Sequence, residues 1–267
     1  MGETASNWHF ITATRDGDVA TVAINRPDKL NALTPGVFAE LAVAINDAVA
    51  QGARALVLTG EGRFFSSGAD IQPDGQGYEG LPEDLGQLID DAYNPFSRLL
   101  AELPIPVVTA LSGPAAGAGL SLALSGDLVV MAESAYLLLA FVNIGLVPDA
   151  GATWLVARSA GRARALDMAL TGERMSAAEA KAAGLVTRVV PDGEALATAQ
   201  ALAAKLAAGP SVAIGTIRRQ VAFALDHVFT ATLDHERDTQ RRLGRTADFA
   251  EAIAAFGEKR KPQFKGQ

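Results

Sequence analysis

The 267-residue chain contains no cysteine. Its absence excludes disulfides and thiolate chemistry, and it fits a cytoplasmic protein. Histidine is scarce, with only His9, His227 and His235. The first falls on an expected edge strand and the others on surface-type helices, and no spacing among them suggests a metal, so none is expected. No run of 18 apolar residues occurs, so no membrane span is expected. Residues 1–6 lack the basic and apolar pattern of a signal sequence, which again points to a cytoplasmic location. Basic residues are outnumbered, 23 Lys and Arg against 30 Asp and Glu. The net charge of −7 argues against nucleic acid as a partner. A local basic patch for a phosphorylated cofactor remains compatible with it.

The chain is long enough for one large or two small domains and a full hydrophobic core. Residues 10–14 and 19–24 flank Arg15-Asp-Gly-Asp18 and predict a β-hairpin with an Asp-Gly turn. Thr34-Pro35 supplies an N-cap and a first-turn proline for a helix through Ala50. Strand-like runs at 55–59, 106–111 and 128–131 alternate with helices expected at 83–103 and 117–126. Residues 72–83, rich in Gly, Pro, Gln and Asp, predict a loop. Beyond Gly161 the pattern is read as helical, with apolar spacing at 192–208, 211–227, 230–243 and 246–257. The fold class is therefore α/β, with a core to about residue 195 and a helical part from 196 to 267.

Gly113-Pro-Ala-Ala-Gly-Ala-Gly-Leu-Ser-Leu-Ala123 follows a strand and opens a helix. Such a start offers unpaired N–H groups and close backbone approach, a cradle for a phosphate or a developing oxyanion. A dinucleotide fingerprint fails because residue 122 is Leu, and no Gly-Lys-Ser/Thr closes a P-loop. Gly119-Leu-Ser121-Leu-Ala123 misses the last glycine of a nucleophile elbow. The remaining structural reading is a glycine-rich loop that lets a helix pack close to a sheet. A second loop, Phe64-Phe-Ser-Ser-Gly-Ala-Asp70-Ile, also follows a strand. Two such junctions can converge on one oxygen as a two-donor oxyanion hole.

Four blocks in this order resemble the crotonase family, also called the enoyl-CoA hydratase/isomerase superfamily. They are Asn25 to Leu33, Phe65 to Ile71, Gly113 to Asp127, and Ile144 to Thr153, and the ending Ala255 to Phe264 is similar as well. The resemblance covers nearly the whole chain. It implies a crotonase-like spiral of ββα units and a homotrimer or a dimer of trimers, with 196–267 in oligomerisation. It implies an acyl-CoA substrate and no cofactor beyond that coenzyme A thioester. By motif match, the N–H groups of Ala69 and Ala118 would hold the thioester oxygen. Arg26 and Lys29 would border the CoA phosphates, Asp70 and Ile71 the adenine, and Phe141 the acyl pocket. Phe256 and Lys259 would complete the CoA site of a neighbour.

The departures from the family pattern are as informative. The two glutamates of a hydratase would align with Ser121 and Phe141, and both are absent. Serine without a partner is a weak base, and phenylalanine transfers no proton. One carboxylate remains, Asp149 in Val147-Pro-Asp-Ala-Gly151, where some double-bond-shifting members carry their single acid. One base suffices for isomerisation, since it can take a proton from one carbon and return it to another. Alternatively, Asp149 is only the N-cap of a helix starting near Ala150. The expected activity is a Δ3 to Δ2 enoyl-CoA isomerase. The alternatives are an enoyl-CoA hydratase, an isomerase of ring-epoxide or oxepin acyl-CoAs, whose branch the sequence around Asp149 resembles, and a non-catalytic acyl-CoA-binding protein.

Overall fold

The computed structural model describes residues 8–73 and 78–267. Residues 1–6, read for a signal sequence, and part of the expected 72–83 loop lie outside the described residues. Strands β1 (Ile11–Asp16) and β2 (Val19–Ile24) form the hairpin, paired from Ile11 with Ile24 to Asp16 with Val19. Helix α1 (Pro35–Ala50) starts as its sequence dictates: the Thr34 hydroxyl accepts from the Val37 N–H, and Pro35 occupies the first turn. Strands β3 (Ala55–Gly60) and β4 (Val107–Leu111) are buried along their whole length. That suits their unbroken apolar runs, because parallel strands are covered on both faces.

Between β3 and β4 the chain forms α2 (Leu85–Leu88), a π-helical turn at Ile89–Tyr93, and α3 (Asn94–Glu102). The expected single helix is thus interrupted. Pro95 explains it: proline lacks an N–H and its ring crowds the carbonyl four residues back, here Asp91. The ladder widens instead, and the Asn94 N–H bonds the Ile89 carbonyl five residues away.

Next come β5 (Ala115–Ala116), α4 (Ala118–Leu124), β6 (Leu128–Ala132), β7 (Tyr136–Leu138) and α5 (Ala152–Thr171), which kinks at Gly161. The stretch beyond Gly161 is not purely helical as expected. It holds β8 (Arg174–Ser176), α6 (Ala177–Ala182) and β9 (Arg188–Val190) before α7 (Ala195–Ala207). Three-residue strands are too short to show a period of two. Helices α8 (Ser211–Asp226), α9 (Phe229–Leu243) and α10 (Ala247–Gly257) follow, each close to its expected range.

The main sheet runs β1-β2-β3-β4-β6-β9, parallel from β2 onward, and a second sheet runs β5-β7-β8. Isolated parallel bridges join Leu33 to Ala69 and Ser66 to Ala115, in line with β5. Each main-sheet strand β2, β3, β4 and β6 is therefore followed by a short extended segment in a second layer, and then by a helix. This is the repeated ββα unit. Helix α7 buries Ala195, Ala199, Leu202 and Ala203 against the main sheet, so the outlying helical part begins at α8 instead of residue 196. Asp127 is structural: its carboxylate accepts from the Val107 N–H and pairs with Arg218 across 2.7 Å.

Candidate active site

The second-layer segments bring both glycine loops together. The Leu33 N–H donates to Gly68 O and the Asp70 N–H donates to Leu33 O, both at 2.8 Å. Successive residues of an extended segment point their polar groups to opposite sides. The Ala69 N–H between them therefore faces away from Leu33, and it has no acceptor among the described residues. On that far side, Ser66 O accepts from the Ala116 N–H at 2.9 Å, tying the first loop to the second.

Gly117 turns the chain with φ 52° and ψ −131°, open to glycine only, and its N–H donates to Leu138 O. Ala118 then opens α4. A first-turn N–H has no intrahelical acceptor and lies at the positive end of the dipole. Close approach of the two loops requires Gly119, where a Cβ would stand 2.7 Å from Ser66. Gly119→Ala should destabilise the protein by about 1–3 kcal/mol. It should also lower turnover, because the Ser66–Ala69 loop has to give way. A variant with wild-type melting temperature and rate would refute this packing role.

A cavity of about 490 Å³ opens in front of these two N–H groups. Its lining includes Ala69, Ile71, Tyr93, Ala118, Phe141 and Asp149. A larger groove of about 690 Å³ lies between α1 and α2–α3, lined by side chains such as Phe38 and Leu99 together with Asp84, Gln87 and Asp91. The two glycine loops and Asp149 all meet at the smaller cavity.

Asp149 is half-buried, yet its Oδ1 is fully buried and has no hydrogen-bond partner among the described residues. Burial pushes its carboxyl up to about 6, partly offset by its own backbone N–H. It is not the helix cap that the sequence allowed. Ala150 and Gly151 adopt positive φ, 49° and 88°, so α5 begins only at Ala152 and no side chain caps it. Alanine in the left-handed region is strained, a feature that clusters at functional sites. The preceding residue, Asp149, lines the cavity.

Ser121 is fully buried and has a partner that the sequence did not reveal: its hydroxyl donates to the Asp149 carbonyl at 3.0 Å. It holds the backbone that carries the acid. Ser121→Ala should lower kcat less than tenfold, about the worth of one neutral hydrogen bond. No acyl adduct should form on the wild-type serine; detection of one by mass spectrometry would make Ser121 a nucleophile.

Arg26 and Asp70, expected near the CoA phosphates and adenine, are bonded to each other. Arg26 is 9% exposed, and its guanidinium pairs with Asp70, itself 8% exposed, at 2.9 Å. It also donates to Ala32 O. Asn31 beside it accepts from the Arg26 N–H and donates to Glu61 O and Phe64 O. The first family-like block thus clamps the loop that presents Ala69. Lys29 is exposed on a 3₁₀ turn, Pro27–Lys29. Ile71, expected near the adenine, and Phe141, expected at the acyl pocket, both line the cavity. Phe256 is 86% exposed and Lys259 is exposed, and neither lines the cavity of its own chain. His227 and His235 stack on Phe223, outside the site. Among the described residues no group of His, Cys, Asp and Glu could hold a metal ion.

Tyr93 was not anticipated. It ends the π-helical turn, lies 2% exposed, and faces the same cavity. The signal was the Tyr-Asn-Pro run at 93–95, a proline inside a helical pattern.

Residues 14–267 match the family model described as enoyl-CoA hydratase/isomerase. The chain belongs to the enoyl-CoA hydratase/isomerase family. It is 42% identical to 1,2-epoxyphenylacetyl-CoA isomerase of Escherichia coli over 97% of this chain and 99% of the relative. It is 33% identical to 2,3-dehydroadipyl-CoA hydratase of the same organism over 96% and 99%. Among solved structures, an enoyl-CoA hydratase subunit I from Geobacillus kaustophilus superposes with a TM-score of 0.90 at 35% identity, covering 98% and 100%. The fold is therefore the crotonase-like α/β spiral, and the protein is an acyl-CoA enzyme of this family. No helix among the described residues is long and apolar enough to cross a membrane.

Proposed function

We propose that the protein is an acyl-CoA isomerase in which Asp149 shuttles one proton and the N–H groups of Ala69 and Ala118 hold the thioester oxygen. The observation that carries this reading is a carboxylate, raised to about 6, whose buried oxygen has no partner among the described residues, in a cavity with two N–H groups likewise unpaired among them. On a 3-enoyl-CoA, the carboxylate removes a proton from C2. The electron pair moves onto the thioester oxygen, where the two N–H groups stabilise the negative charge. The protonated acid then delivers the same proton to C4, and the double bond comes to rest between C2 and C3. No water enters and no atom is lost.

Two-glutamate hydration lacks its groups here, since Ser121 is tied to a carbonyl and Phe141 is a buried hydrocarbon. A second reading, isomerisation of a ring-epoxide acyl-CoA, is favoured by the 42% identical relative that bears that activity in its name. Incubation with 3-enoyl-, 2-enoyl- and ring-epoxide CoA substrates separates these readings. Isomerisation without hydration supports the proposal; hydration of 2-enoyl-CoA refutes it. Ligand binding without turnover of any substrate makes the protein a non-catalytic acyl-CoA binder.

We further propose a homotrimer, or a dimer of trimers, assembled through the outlying helices. Ile217, Val221, Phe229, Ile253 and Phe256 leave a broad apolar surface on α8–α10. In such an assembly Phe256 and Lys259 would reach a neighbour's CoA. Sedimentation equilibrium showing a monomer would exclude it.

A further inference from the structure

We propose that Tyr93 is a specificity-determining hydrogen-bond donor that selects acyl groups carrying an oxygen acceptor, such as an epoxide or ring ether, over hydrocarbon ones. The inference deepens the isomerase reading and rests on it for the position of the thioester.

The geometry points this way. The phenol is locked: its ring packs on Phe38 with centroids 4.6 Å apart, and Phe38 in turn packs on Phe96. The π-helical turn adds one residue to the winding and so rotates Tyr93 toward the cavity. One helical turn further on, Ser97 donates to Ala150 O at 3.4 Å, which fixes this helix beside the Asp149 loop. Tyr93 and Asp149 are the phenol and the carboxylate of the cavity lining; of the other polar side chains there, Asn143 already donates to Gly172 O and Ser67 adjoins the oxyanion loop.

The Tyr93 hydroxyl has no hydrogen-bond partner among the described residues, and neither has Asp149 Oδ1. A donor and an acceptor thus face one apolar cavity without being bonded to each other. Burial, and then the negative charge of Asp149, push the phenol above its ordinary value, so it stays protonated and keeps an O–H to donate in the working pH range. The thioester oxygen is taken by the N–H groups of Ala69 and Ala118. Asp149 addresses a carbon-bound proton, which offers the phenol nothing. A hydrocarbon acyl group would strip water from the hydroxyl and replace it with no acceptor. An oxygen in the acyl group restores that bond.

A matched pair of unreactive ligands tests this: cyclohexylacetyl-CoA, and its tetrahydropyranyl analogues with the ring oxygen at each position in turn. Wild-type protein should bind one of the ethers roughly 3–10-fold more tightly than the hydrocarbon. In Tyr93→Phe that ratio should fall to one or below. No preference in the wild type overturns the proposal, and needs no variant to show it. The same preference surviving in Tyr93→Phe also overturns it. So does an equal loss on both ligands accompanied by a shifted pH profile, because Tyr93 would then act through Asp149. If the wild type isomerises no acyl-CoA yet keeps the ether preference, the isomerase reading fails and the assignment of Tyr93 stands.

Discussion

Asp149→Asn should lower kcat by about 10²–10⁴-fold while leaving CoA binding nearly intact, the range expected for removal of a general base. The change is close to isosteric, and no hydrogen bond of the carboxylate to another described residue is lost with it. An unbonded, buried carboxylate oxygen costs stability and gives nothing back to the fold, so its retention points to chemistry. In the wild type the base must be ionised. Activity should therefore rise with pH through about 6 and then level off, where a freely solvated aspartate would have levelled from about 4. Exchange of the substrate C2 proton with solvent deuterium is the direct readout. Wild-type exchange in the asparagine variant would remove Asp149 from the mechanism.

The same residue makes an opposite prediction for stability. The native carboxyl holds its proton up to about 6 and the unfolded one only to about 4. Between these values the native state binds more protons, so native stability falls as pH rises through this window. The contribution is fully present below 4 and lost above 6. Two units correspond to about 3 kcal/mol, and access of water to the open cavity reduces this to roughly 1–2 kcal/mol. Asp149→Asn should thus melt higher than wild type at pH 7 and equally at pH 4. A single substitution that removes activity and raises stability marks a group kept for function at the expense of the fold. A helix cap would leave the two proteins nearly equal in melting temperature, because asparagine caps about as well as aspartate.

Much of this site was legible in the sequence, for physical reasons that can be named. Glycine-rich loops after buried apolar runs announce exposed N–H groups, and both loops converge as expected. Thr34-Pro35 and Asp16-Gly17 carry local turn and cap chemistry that needs no tertiary context. What stayed hidden depends on contacts distant in sequence. Arg26 and Asp70 are 44 residues apart and form a buried pair, which residue type alone does not distinguish from a solvated cation near a phosphate. Ser121 looked partnerless because its acceptor is a backbone carbonyl 28 residues away. Asp149 resembled a cap because Asp before small residues usually caps, but two positive φ angles delay the helix to Ala152. Tyr93 was obscured by a π-helical turn that breaks the 3.6-residue phase on which helical faces are read.

Ala118→Pro should cost about 10²–10³-fold in kcat with the fold preserved, the expected worth of one oxyanion donor, or about 3–4 kcal/mol. Proline is favoured at the first position of a helix, where its missing N–H has no intrahelical partner to lose. Ala118 holds that position in α4. Proline also restricts the residue before it to extended backbone. Gly117, at φ 52° and ψ −131°, occupies the mirror image of that region and has no Cβ to clash. The substitution therefore deletes one N–H from the cavity wall and leaves the backbone path intact. The proline ring stands where the thioester oxygen should bind, so KM should rise as well. The decisive measurement is the carbonyl stretch of a bound 2-enoyl-CoA. Two donors on the oxygen weaken the C=O bond and lower its frequency; the variant should return the band toward its value in water. An unchanged band together with a retained kcat would mean that the Ala118 N–H does not face the reacting thioester.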